Sequence, residues 1–127
     1  MMLHRALLKT HHMTSRKKIT AIIKAAKKCN CAVYLKTGVH PPGVMVGECD
    51  GDAGEQDLKE WVESVKRLRY KGYKLLCSES VEQGRLLVKN GDAKEFGSMK
   101  ELAHDLAECG ILDWWNIHMG FTKGEEG

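Results

Sequence analysis

Two short β-type runs, CAVYLKT at 31–37 and GVMVGEC at 43–49, are separated by Gly38 and the HPPG of His40 to Gly43, and an amphipathic helix stands on each side of them. No other feature constrains the fold as much. A turn rich in Pro and Gly between two apolar runs pairs them as a hairpin. On the N-terminal side, Ile19, Ile22, Ile23 and Ala26 recur at helical spacing behind Thr14 or Ser15 as N-cap. On the C-terminal side, after the polar loop CDGDAGEQD, the same spacing joins Leu58, Trp61, Val62, Val65 and Leu68, and Gly72 supplies a stop.

A mixed segment at 4–13 reads as a first strand and YKLLCS at 73–78 as a fourth. The order strand, helix, strand, strand, helix, strand is the split βαβ of ferredoxin-like folds, an α+β class with two helices on one face of an antiparallel sheet. The remaining third predicts a C-terminal hairpin and a helical extension. GRLLVK and AKEFG flank Asn90-Gly91, a hairpin signal. Ser98 and Glu101 form an S-x-x-E capping box for a helix with Met99, Leu102, Ala103 and Leu106 inward and Gly110 at its end. ILDWWNIHMGF closes the chain as a short apolar helix or turn. A chain of 127 residues fits one domain, taken as 1–121, with 122–127 as a frayed tail.

Composition narrows the setting. No apolar run approaches the roughly 20 residues that cross a bilayer, and MMLHRALLKTHH lacks an apolar signal core. An intracellular protein, cytoplasmic or nuclear, is expected, with no membrane partner. The five cysteines are odd in number and sit mostly within apolar patterns, which predicts reduced, buried thiols.

The net charge of +3 conceals a bipolar chain. Met1 to Gly47 holds nine Lys and Arg and no acid; the rest holds eleven basic and seventeen acidic residues, so the halves carry +9 and −6. Such halves either neutralise each other or present a basic face to an acidic partner. The first helix carries Arg16, Lys17, Lys18, Lys24, Lys27 and Lys28 with no acid in reach, although cations in a first turn oppose the macrodipole. Lys17, Lys24 and Lys28 recur at i, i+7 and i+11 opposite the isoleucines, a stripe suited to phosphates or else a solvated face. A second basic stretch, KRLRYKGYK at 66–74, brings Lys66 and Arg67, for which Glu63 is a possible helical partner.

The pair His11-His12, the Pro42-Gly43-Val44 turn into a strand ending at Glu48, the Trp61 helix carrying KRLR, and DWWNIHMGF resemble one family. It is the domain of unknown function that follows the RWD domain in many eukaryotic proteins, and it includes the C-terminal domain of the splicing factor pre-mRNA processing factor three. The resemblance spans roughly Leu3 to Phe121. It implies a ferredoxin-like core, a eukaryotic intracellular protein, no known enzymatic activity, and, from the splicing branch, contact with base-paired RNA and its single-stranded extension. That branch has a similar Lys-Arg-Leu, which carries Lys66 and Arg67 over as candidate RNA contacts.

The residues themselves point the same way. The third strand has no aromatic, which excludes the stacking platform of an RNA-recognition motif; Tyr34 and Lys36 remain possible sheet contacts. Tyr70 and Tyr73 read as packing residues. Cys29-x-Cys31 has no second pair, His11 and His12 point apart in a strand, and the acidic loop lacks the closing Glu of a calcium site, so neither metal nor other cofactor is expected. No nucleophile has a base beside it, no phosphate loop is present, and no small-molecule substrate is indicated. The resulting expectation is a non-catalytic module that binds RNA through Lys17, Lys24, Lys28, Lys66 and Arg67. The alternative is a protein-protein adaptor that uses an exposed Trp114 and Trp115.

Overall fold

The computed structural model describes residues 2–121. Along the chain run β1 (Leu3–Thr10), α1 (Arg16–Lys28), β2 (Ala32–Lys36), β3 (Gly43–Asp50), α2 (Gly54–Lys66), β4 (Lys74–Val81), β5 (Ala93–Phe96), α3 (Met99–Glu108) and α4 (Leu112–Met119). The strands form one sheet in the order β4-β1-β3-β2-β5, with antiparallel pairing among the first four. That order and the two crossover helices make the fold ferredoxin-like α+β. Among the described residues no helix is long and apolar enough to cross a membrane.

The inner strands are buried on both faces, and alternation assigns each side chain. Ala6, Leu8, Val33, Leu35 and Met45 meet Ile19, Ile22, Trp61 and Val65 of α1 and α2. Leu7, Tyr34, Val44 and Val46 point the other way, onto Phe96, Leu102, Leu106, Ile111 and Trp115. The C-terminal helices therefore close the face that a bare split βαβ leaves open.

Serine caps begin both helices at which the sequence predicts them. Ser15 Oγ accepts from Lys18 N at 3.2 Å, and Ser98 Oγ from Glu101 N at 3.1 Å. Because α1 has no acidic residue in its first turn, Ser15 alone offsets its dipole with side-chain oxygen. Ser15→Ala is expected to lower stability by about 0.5–2 kcal/mol, read as a shifted denaturation midpoint at unchanged slope.

Four expectations need correction. The hairpin across Asn90-Gly91 does not form: Gly91 makes a left-handed turn (φ 90°), but β5 then pairs parallel to the open edge of β2. Side chains occupy the amides that a hairpin strand would have used, since Leu86 N donates to Glu48 Oε1 at 2.9 Å and Leu87 N to Tyr34 Oη at 3.3 Å. Second, α2 stops at Lys66 rather than near Gly72, with Arg69 left-handed at φ 57°. Third, the cysteines are not all thiols. Cys31 and Cys49 are cross-strand neighbours, 4.8 Å apart at Cα, and form a disulfide, leaving Cys29, Cys77 and Cys109 reduced. Fourth, Tyr34 and Lys36 are no sheet surface: they are 1% and 2% exposed. Lys36 donates to the carbonyls of His40 and Pro42, and burial lowers its pKa. The tail at 122–127 lies outside the described residues.

Candidate nucleic-acid interface

Three contacts fix how α1 and α2 run. Cys31 Sγ, just past the end of α1, reaches Asp57 O near the start of α2; Trp61 Nε1 donates to Ile22 O; and Lys18 Nζ stands 5.0 Å from the Tyr70 ring centre, beyond the end of α2. The helices are thus antiparallel, and the N-terminus of α1 meets the C-terminus of α2. The basic first turn of one lies beside the basic end of the other.

The sheet adds to the same end. His11 N donates to Lys71 O at 2.8 Å, and Lys9 pairs with Lys74 across β1 and β4. KRLRYKGYK is consequently a strap over the end of the molecule, from the last residue of α2 to the first of β4. Tyr70 is buried and Tyr73 half-buried in the α1/α2 layer, and burial raises the pKa of both. With the tyrosines turned inward, Lys66, Arg67, Arg69, Lys71 and Lys74 are left exposed.

Lys17, Lys66 and Arg67 belong to this basic end, and among the described residues none of them forms an ion pair. Glu63 does not reach Lys66 or Arg67 as the helical spacing suggests. Arg16, by contrast, is committed: its guanidinium grips Glu95 with two 2.9 Å bonds and holds that carboxyl below the usual carboxylate range. Lys24 and Lys28 are exposed but lie farther along α1. Lys28 lines a groove of about 370 Å³ with Lys59, Glu60, Glu63 and Arg67, where carboxylates dilute its charge. Lys17, Lys24 and Lys28 are all exposed and, among the described residues, without an ion pair; of the three, Lys17 is the one that stands where α2 finishes.

The sequence reading quotes KRLRYKGYK as a basic stretch but names only Lys66 and Arg67 from it; it leaves out Arg69, Lys71 and Lys74 as site residues and does not raise Lys9 at all. The signal lay in the predicted topology, because a split βαβ places the end of β1, the end of α2 and the start of β4 together. The tryptophans proposed as protein anchors are not displayed as such. Trp115 is 3% exposed, and Trp114 is half-buried with Nε1 donating to Glu79 Oε2 at 2.8 Å and its ring 4.9 Å from the Arg5 guanidinium.

No family model and no curated protein matches the chain. Among solved structures it is similar to one described as BlrP1 BLUF, with 12% identity and a TM-score of 0.57 over 89% of this chain and 76% of that one. A bacterial light-regulated adenylyl cyclase gives 12% identity and a TM-score of 0.51 over 97% of this chain, which spans 38% of the cyclase. An acylphosphatase from Bacillus subtilis aligns at 17% identity over 76% of this chain and 99% of that one, with a TM-score of 0.47. At these identities the first two likenesses are of fold, and function does not follow from fold.

Proposed function

We propose that this domain is a non-catalytic module that binds structured RNA through its basic end. The observation that carries the reading is the convergence of Lys17 with Lys66, Arg67, Arg69 and Lys71 where α1 begins, α2 finishes and the strap crosses the sheet. Clustered cations suit a phosphate backbone. Local stability does not account for the pattern, because the first turn of α1 carries cations where the dipole favours acids. The resemblance to the RWD-associated domains and their splicing relative supports the choice of RNA.

The test is fluorescence anisotropy of an RNA duplex with a single-stranded overhang, titrated at several salt concentrations. Lys17→Ala/Lys66→Ala/Arg67→Ala is expected to weaken binding across sequences and to flatten the log-log salt dependence by roughly one for each phosphate contact removed. Lys24→Ala/Lys28→Ala should have the smaller effect. Binding and salt slope unchanged in the triple variant, with its fold verified by circular dichroism, would overturn the reading.

A further inference from the structure

At the opposite edge of the sheet from β5, three side chains of different chemistry converge. Cys77 and Glu79 stand two residues apart on β4, on the face covered by α4, and His118 descends from the last turn of that helix. The Cys77 Sγ to His118 Nε2 distance is 3.7 Å, His118 Nε2 to Glu79 Oε2 is 3.4 Å, and all three ligand atoms lie within 4.8 Å of one another. A tetrahedral zinc ion with bonds of about 2.3 Å to sulfur and about 2.0 Å to nitrogen and oxygen holds sulfur and nitrogen about 3.5 Å apart and nitrogen and oxygen about 3.3 Å apart. The two closer separations already match.

We propose that Cys77, Glu79 and His118 bind a divalent transition-metal ion of the zinc type, with a fourth position open to solvent. The mixture of thiolate, imidazole and carboxylate favours zinc over calcium or magnesium, which take oxygen ligands. The site is built into rigid elements. The register of β1 against β4 shifts between Leu7 and Leu8, beside Cys77, and a bulge of this kind re-aims side chains. The Trp114 indole N–H holds Glu79 Oε2, and its ring lies 5.0 Å from that of His118, so one residue orients two ligands. Cys77 and His118 are half-buried and Glu79 is exposed, which leaves a path for entry.

Loading forms a metal–sulfur bond at Cys77 and releases the thiol proton to solvent, with no change of oxidation state. Cys77 and His118 lie 41 residues apart in sequence, which is why the expectation of no metal, drawn from Cys29-x-Cys31 and His11-His12, did not meet them.

The experiment titrates the metal-free protein, with its Cys31–Cys49 disulfide intact, with Zn(II) alone against a chromophoric chelator, and with Co(II) alone to read thiolate-to-cobalt absorption. One ion per chain is expected. Cys77→Ser and His118→Gln should each abolish stoichiometric binding, Trp114→Phe should weaken it about 10–100-fold, and His11→Asn/His12→Asn and Cys29→Ser should leave it intact. A failure of chelator competition, a missing thiolate band, or binding that follows His11 and His12 would overturn the proposal. Should the ligand variants not fold, alkylation of the wild type decides: Zn(II) must slow modification of Cys77, identified by mass, and absence of protection would refute the site. RNA binding is read separately, so the failure of one assignment leaves the other standing.

Discussion

Replacing Glu48 by alanine is expected to destabilise the protein by about 3–5 kcal/mol, because it leaves the Arg5 guanidinium charged, buried and without its counter-ion. Arg5 is 1% exposed and Glu48 2% exposed, and Arg5 Nε donates to Glu48 Oε2 at 2.6 Å across β1 and β3. The same pair secures the chain between β4 and β5. Arg5 Nη2 donates to the carbonyls of Gln83 and Gly84 at 3.1 and 3.0 Å, and Glu48 Oε1 receives Leu86 N. Urea titration should show the midpoint fall, and amide exchange should show Leu86 lose protection along with it. Arg5→Met combined with Glu48→Leu removes both charges, so its cost should be far below that of the single variant. A Glu48→Ala cost under about 1 kcal/mol would mean that the pair is solvated and would withdraw this account of the loop.

That pair also marks where sequence reasoning runs out. The helices, the 31–49 hairpin and the split βαβ order were legible because each depends on neighbours in sequence: the isoleucine spacing of α1, the Ser15 and Ser98 caps, the HPPG turn. The segment 84–92 was misread because its conformation depends on distant acceptors. Asn90-Gly91 makes its turn, but Glu48 and Tyr34 take the amides of Leu86 and Leu87, and the free edge of β2 takes β5. The disulfide was missed for a related reason. Loop spacing says nothing about Cys31 and Cys49, whereas the hairpin register, Ala32 opposite Glu48, makes them neighbours. Of the basic residues, Lys17 was singled out by its spacing along α1 and Lys66 and Arg67 by the stretch KRLRYKGYK and the family resemblance, while their placement beside Lys71 and Lys74 required the strap to be placed over the end of the sheet.

The second large effect is expected at the contact between β3 and α2. Gly47 lies in the middle of β3, and a Cβ there would stand 2.5 Å from Trp61 Cζ3 and 2.9 Å from Cε3. The indole cannot swing away, since Trp61 is fully buried and its Nε1 donates to Ile22 O at 3.4 Å. Gly47→Ala is therefore expected to cost about 1–3 kcal/mol through overpacking, and Trp61→Ala about 3–5 kcal/mol through the cavity it opens. The two are coupled by construction. In the Trp61→Ala background the added methyl meets empty space, so Gly47→Ala should cost little or restore some stability, with a coupling energy of about 0.5–3 kcal/mol in a double-mutant cycle followed by urea denaturation. Additive costs would show that the glycine is required for some reason other than the indole. Because α2 delivers Lys66 and Arg67 to the basic end, its seating on Gly47 is also what fixes those cations relative to Lys17 on α1.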